Sequence, residues 1–423
     1  MLKHFTKEER SWILYDVANS AYTLTVLTVL FPILFMNLAI EDGLSNSVAT
    51  AYTQYAKSIY SIIVALLAPI LGTYGDYKGK KKKMFIFFLT IGIVGGFLLC
   101  IPNLSWKVVF VTYIFATVGY AGANVFYDAF LIDVTTEEKM DQVSSWGYAL
   151  GYIGSTVPFI AGFAFYVLAH FNIIELKENI AISIAFFITI IWWSLFSIPL
   201  IKNVKQNYYI ENVEKPIAHT FSRLHKTFKN IKSYKKVFVF LIAYFFYIDA
   251  VDTIITASIP IGMALNIVDE VLLIEIVLLI QFLAFPFAIL YGWLTKKLGT
   301  TIMISVGIVV YIIVCFIGAT IQTAVDMWIL AILVGMTLGG IQSISRSYFG
   351  KIIPKNSSNE FFGFYNIFGK FAAILGPILV GVATQTTGNP RFGMVAIIPL
   401  LVIGLILFLI STRMTDSVET MGI

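Results

Sequence analysis

Apolar residues run along this chain in long unbroken blocks, not in the strict alternation of a half-buried strand. The blocks cover 11–38, 50–71, 84–101, 106–130, 147–170, 180–200, 236–263, 271–294, 301–321, 327–349, 362–386 and 392–412. A bilayer crossing takes about 20 apolar residues as a helix, so each block is long enough or nearly so. Outer-membrane barrels need alternation every second residue, and these runs are continuous. The pattern predicts an all-α membrane protein of twelve transmembrane helices, six on each side of a polar stretch at 201–235.

The two halves echo each other at about 220 residues. GTYGDYKGKKKK, with Gly72, Asp76, Gly79 and Lys80, follows span 2, and GWLTKKLGTT, with Gly292, Lys296 and Gly299, runs from the end of span 8 into the loop after it. A second pair keeps almost the same register: TTEEKMDQVSSWGYALGYIGSTVPFIAG ends with Pro158 and Gly162, and PKNSSNEFFGFYNIFGKFAAILGPILVG ends with Pro377 and Gly381. Two like-oriented six-helix bundles are expected, at 1–200 and 236–423 and joined by a basic linker at 201–235, the plan of an alternating-access carrier.

Composition sharpens this picture. A hydrophobic fraction of 58% with 13% charged residues excludes an ordinary soluble domain, as does a mean hydropathy of +0.85. The net charge of +5 is an orientation signal and not a nucleic-acid footprint. With both termini cytoplasmic, Lys3, Lys7, Arg10, Lys78 to Lys83, the linker, Lys296, Lys297, Lys351 and Lys355 all fall inside, and few basic residues remain outside. The acidic loop between spans 4 and 5 is the exception, and acidic residues have little influence on topology. The linker segment HTFSRLHKTFKNIKSYKK reads as a surface amphipathic helix against anionic headgroups. Cys100 and Cys315 fall in different halves and suggest neither disulfide nor metal site. The amino terminus shows no cleavable signal pattern, so span 1 is expected to be retained.

Ionisable groups at membrane depth are costly and mark functional candidates. Asp249 and Asp252 in span 7 lie three residues apart on one helix face. Two carboxylates in a low dielectric cannot both carry charge cheaply, which suits proton coupling. The competing reading has one of them capping a helix break and the other pairing with Lys370 of span 11. Asp16, Asn19 and Tyr22 form a polar stripe in span 1. Asn124, Tyr127 and Asp128 do so in span 4, and Gln342 and Arg346 in span 10. Gln281 and Asn366 add hydrogen-bonding groups in spans 8 and 11. Such stripes suit a central polar pathway, although transmembrane Asn and Ser also serve only to bridge helices. The Gly72–Lys80 loop and its partner at Gly292–Gly299 read either as a latch between bundles or as plain positive-inside turns. No phosphate loop, nucleophile elbow or metal-ligand spacing is present, so neither an ATP-driven pump nor an enzyme is indicated and no cofactor is expected.

The loop after span 2 resembles the signature loop of the major facilitator superfamily. YDVANSAY, DAFLIDVTTEEKMDQVSSWGYALGYIG and GGIQSISRSYFGKIIPKNSSNEFFGFYNIFGKFAAILGP resemble its vacuole-effluxer branch. The resemblance covers nearly the whole chain and implies two pseudo-symmetric halves, cytoplasmic termini and secondary transport. Fungal members are linked to amino-acid export from the vacuole; the short loops here argue for a plasma-membrane protein of bacterial type. The expected partners are a small solute, the bilayer and protons, acting on a monomer. A non-transporting sensor or scaffold that keeps the fold is the alternative.

Overall fold

The computed structural model describes residues 2–211, 216–229, 234–264, 270–371, 375–389 and 391–414. Its helices in chain order are α1 (Lys7–Tyr22), α2 (Phe31–Glu41), α3 (Asn46–Gly75), α4 (Lys80–Leu99), α5 (Trp106–Val134), α6 (Glu137–His170), α7 (Glu178–Asn203) and α8 (Pro216–Lys229). They continue with α9 (Lys235–Ala264), α10 (Glu270–Leu298), α11 (Thr300–Gly318), α12 (Ala324–Ile352), α13 (Ser358–Phe371), α14 (Leu375–Thr387), α15 (Arg391–Val395) and α16 (Ile398–Thr412). Among the described residues, eleven helices or helix runs are long and apolar enough to cross a bilayer. The expected span at 362–386 is carried by α13 and α14, on either side of the undescribed residues 372–374.

Several helices outrun their apolar blocks at one end. α6 begins at Glu137, ten residues before the block at 147–170, and α5 and α12 run on to Val134 and Ile352. Span 1 runs from Lys7 to Glu41. Between α1 and α2 it widens into a π-helical stretch, Thr23–Leu30. Pro32, just beyond that stretch, offers no N–H, and its ring clashes with the carbonyl four residues back, so a wider turn relieves the conflict.

The chain divides into two compact units. Unit 1 holds Met1–Thr135, Leu150–Glu214 and Lys355–Gly363. Unit 2 holds Thr136–Ala149, Lys215–Pro354 and Phe364–Ile423. In unit 1, α1 packs on α7 and α4 on α5. A Cβ on Gly119 of α5 would strike the backbone of Gly92 on α4, so this pair closes to backbone contact. In unit 2, α10 packs on α12 and α9 on α16. Large apolar side chains such as Leu66, Val111, Phe316 and Ile406 stay exposed on helix faces, as lipid-facing positions must. In α8, Thr220, Leu224 and Thr227 are buried while Phe221, His225 and Lys226 are exposed.

The start of α1 shows how the unit 1 core is pinned. Thr6 and Glu9 form a capping box: Glu9 N–H donates to Thr6 Oγ1 at 3.1 Å and Thr6 N–H donates to Glu9 Oε2 at 2.7 Å. The other Glu9 oxygen accepts from Thr135 Oγ1 at the end of α5 at 2.8 Å. Three residues on, Trp12 Nε1 donates to the Tyr127 carbonyl at 2.9 Å. Glu9→Ala removes the returning half of the capping box and the tie to Thr135 together, so it should lower stability by about 1–2 kcal/mol. A thermal melt of purified protein checks this; an unchanged midpoint would show that the cap is idle.

Candidate functional site

The second-span loop builds the tightest polar cluster of unit 1. Asp76, only 1% exposed, follows the last turn of α3. Its Oδ1 accepts from the Asn359 N–H and Asn359 Nδ2, both at 2.9 Å, and its Oδ2 accepts from the Glu360 N–H at 3.4 Å. These are first-turn amides of α13, which have no partner inside their own helix and lie at its positive end. α3 comes close enough because of small residues. A Cβ on Gly72 would meet the Asn359 carbonyl, and one on Gly363 would meet the Ala68 carbonyl. Gly79, at φ +71°, then turns the chain into α4.

Lys81 stands behind Asp76 with no exposed surface. Its Nζ is bonded to Asp133 Oδ2, to Ser358 Oγ at 2.9 Å and to the Ala129 carbonyl at 3.3 Å. Lys80 lies over the Tyr74 ring at 5.3 Å. The four-lysine run is therefore not only a solvated positive-inside turn: one of its members is an internal strut. A buried charge is tolerated when paired and fully hydrogen-bonded, as this one is.

Unit 2 repeats the geometry with its charges exchanged. A Cβ on Gly292, the counterpart of Gly72, would meet the Ser145 side chain of α6. Gly299, the counterpart of Gly79, also has positive φ, at +89°, just before α11. Lys296, near the place of Asp76, is exposed. The acid comes instead from α6. Asp141 pairs with Lys351 of α12 through Oδ2 and accepts from Ser347 Oγ at 2.6 Å. Ser144 Oγ donates to the Ser343 carbonyl at 2.7 Å, and Ser145 and Ser343 hydroxyls lie 3.2 Å apart. Arg346 donates from Nε to Ser144 Oγ at 3.0 Å and from Nη2 to the Ser144 carbonyl at 3.2 Å, and stands 4.3 Å over the Tyr148 ring. Asp141, Ser144, Ser145 and Tyr148 share one face of α6, and Ser343, Arg346, Ser347 and Lys351 share one face of α12. Arg346, a candidate for a solute pathway by sequence, is thus engaged in a zipper between these helices.

The remaining candidates fall into two groups. In unit 1, Asn19 Nδ2 donates to Asn124 Oδ1 at 3.2 Å, Tyr22 and Thr117 hydroxyls lie 3.2 Å apart, and Thr23 and Tyr120 hydroxyls lie 2.6 Å apart. The stripes of spans 1 and 4 therefore meet. Tyr127 stacks against Trp12 and tilts against Tyr15, both at 4.6 Å, in an aromatic core. Asp16 is buried beside this stripe, and Asp128 is half-buried. In unit 2, Asp249 has no exposed surface; its Oδ2 accepts from the Gly376 N–H in the first turn of α14 at 2.9 Å. Its Oδ1 has no hydrogen-bond partner among the described residues. Gly376 allows this approach, since a Cβ there would run into Thr253. Asp252 is half-buried one turn away. Gln281 lies on α10, its buried Oε1 without a hydrogen-bond partner among the described residues, and Gln342 and Asn366 are half-buried on α12 and α13. Lys370 is on α13, but its side chain lies outside the described residues.

Asp133, Asp141, Ser358 and Asn359 do not stand out in the sequence, because each sits at a helix end or start beside a hydrophilic loop. The internal echo does point to them: Lys351 falls opposite Asp133, and Asn359 opposite Asp141, at a spacing of 218 residues. The two ion pairs differ in setting: both Lys81 and Asp133 side chains are fully buried, whereas those of Lys351 and Asp141 are 22% and 11% exposed. Lys81→Met, which strands a buried carboxylate, should therefore destabilise the protein by about 3–5 kcal/mol. Lys351→Met leaves Asp141 some water and the Ser347 hydroxyl, and should cost less, about 1–2 kcal/mol. Parallel thermal unfolding measurements test the ranking, and equal losses would contradict it.

With the geometry in place, known proteins can be set beside it. The chain is 48% identical to the uncharacterized MFS-type transporter YxiO of Bacillus subtilis, over 96% of this chain and 95% of that protein. It is 22% identical to autophagy-related protein 22 of Saccharomyces cerevisiae (strain S288c), over 90% and 87% of the two chains. Among solved structures, the Escherichia coli fucose:proton symporter superposes with a TM-score of 0.72 at 13% identity, covering 96% of this chain and 98% of that one. The human organic anion transporter MFSD10 does so with a TM-score of 0.69 at 12% identity, over 95% and 99%. The fold is that of the major facilitator superfamily, and the protein is an MFS-type, multi-pass membrane transporter. The model of the vacuole effluxer Atg22-like family matches residues 5–419, and the chain belongs to that family.

Proposed function

We propose that this transporter is a proton-coupled secondary carrier of a small solute, amino acids or related metabolites, working by alternating access as a monomer in the plasma membrane with both termini cytoplasmic. The sidedness rests on the lysines and arginines gathered at the loop end that carries Asp76, Lys296 and Lys351. The substrate class rests on the family resemblance. The Asp76–Asn359 cluster serves as the cytoplasmic latch, since its bonds tie α3 to the start of a helix more than two hundred residues away. The α6–α12 zipper serves as its counterpart.

One observation carries proton coupling: the Asp249 carboxyl, with no exposed surface, one oxygen on the Gly376 N–H and the other without a hydrogen-bond partner among the described residues. A proton can sit on the unpartnered oxygen without disturbing the Gly376 bond. Loss of that proton places a full negative charge at the positive end of α14, so the strength of the α9–α14 contact changes with protonation. This is the differential interaction a coupled carrier requires between its two states. The fucose:proton symporter, by its name, couples a solute to protons on the same fold.

Asp249→Asn keeps an acceptor for Gly376 while abolishing the proton site. In proteoliposomes it should lower accumulation of amino acids driven by a pH gradient by about tenfold, a difference of about 1.4 kcal/mol, with solute exchange retained. If Asp249→Asn and the Asp249→Asn/Asp252→Asn double variant both keep full pH-dependent accumulation, the coupling role is wrong and Asp249 is only a helix cap.

A further inference from the structure

Immediately after α7 the chain does not leave the protein surface. Residues Val204 to Ile210 run as an extended strap across the loop between α3 and α4. Ile210 N–H donates to the Asp76 carbonyl at 2.9 Å, and Lys78 N–H donates to the Ile210 carbonyl at 3.0 Å, a short parallel bridge. Gln206 Nε2 donates to the Gly75 and Asp76 carbonyls at 3.2 and 3.3 Å. Lys82 Nζ donates to the Val204 carbonyl at 3.0 Å. The strap also reaches the second acid of the cluster. Asn207 and Tyr208 N–H groups both donate to Asp133 Oδ1, at 2.7 and 2.9 Å, and Asn207 Nδ2 donates to the Asp133 carbonyl at 2.7 Å.

These bonds exceed what a passing loop needs. A loop can satisfy its backbone with water, yet here two backbone N–H groups are committed to a buried carboxylate. Among the described residues, Asp133 takes its donors from Lys81 on one oxygen and from the strap alone on the other. Lys81 in turn holds Ser358, beside the Asn359 and Glu360 amides that Asp76 caps. The strap therefore orients both acids from behind, one through its backbone carbonyl and one through its carboxylate. Without it, Asp133 Oδ1 has no donor, and Lys81 is free to shift away from Ser358.

We propose that Gln206–Ile210 is a positioning strap for the Asp76–Asp133 latch, so that the first residues of the inter-half linker help set how readily the latch opens. The inference rests on the latch reading of Asp76. The linker thus has a mechanical role at its beginning that is distinct from the amphipathic helix α8 further along it.

The test uses the full chain in liposomes, with Cys100 and Cys315 replaced by Ser and one reporter cysteine, Thr73→Cys, at a fully buried site beside Gly72. Maleimide labelling of the reporter reads latch opening, and tryptic cleavage after the exposed Lys205 reads release of the strap. Gln206→Ala and Asn207→Pro each remove two or more hydrogen bonds, so each should speed cleavage and raise labelling by at least about fivefold, the scale of a single lost bond. Asp76→Asn should raise labelling without need of either change. Faster cleavage with unchanged labelling would overturn the strap while leaving the latch standing. Unchanged cleavage in both strap variants would also overturn it. Unchanged labelling in Asp76→Asn would overturn the latch, and the strap with it.

Discussion

A carboxylate shut away from water has to be surrounded by donors, and Asp133 and Asp76 gather theirs from distant parts of the chain. Lys81 comes from the start of α4, Asn359 and Glu360 from the start of α13, and Asn207 and Tyr208 from the strap after α7. The desolvation of these charges is what makes the arrangement all-or-none. Removing Lys81 does not merely weaken the cluster; it leaves the Asp133 charge without its counter-charge. On the latch proposal, this cluster is the element that switches between a bonded and an open state, as a gate in a carrier must.

The internal repeat shows how the same geometry can be reached with different chemistry. Gly72 and Gly292 both exclude a side chain at a helix crossing, and Gly79 and Gly299 both turn the chain at positive φ. Backbone constraints of this kind leave few substitutes, so these features appear in both halves. Charges are freer, provided each acid finds a base. Unit 1 pairs Asp133 of α5 with Lys81, and unit 2 places Lys351 at the matching end of α12 and finds its acid on α6. The zipper of unit 2 combines seryl hydroxyls and the buried Arg346 with an ion pair that keeps some exposure, whereas the Lys81–Asp133 pair keeps none.

The helical spans and the all-α fold were readable in the sequence because lipid imposes a simple rule: about twenty apolar residues and no unsatisfied backbone. The polar face shared by Asn19 and Asn124 was readable for the same reason, since a polar residue in an apolar block is conspicuous. Asp141 and Asn359 were harder to see because they lie among other polar residues, where composition gives no contrast. Arg346 stood out correctly as a buried charge, but a sequence cannot say whether such a group faces a solute or another helix. Here it is bonded to Ser144 and stacked on Tyr148. Asp249 is a different case. Its two readings by sequence, helix cap and proton site, are both chemically compatible with one oxygen on Gly376 and one without a partner among the described residues.

Hydrogen exchange at the start of α13 tests the gate most directly. The Asn359 and Glu360 amides point at a buried carboxylate and should exchange slowly in the resting protein. In proteoliposomes turning over an amino-acid mixture under a pH gradient, those two amides should lose protection while those of the α4–α5 contact keep theirs. Equal and undiminished protection at rest and during turnover would contradict the account, because the latch would then play no part in transport.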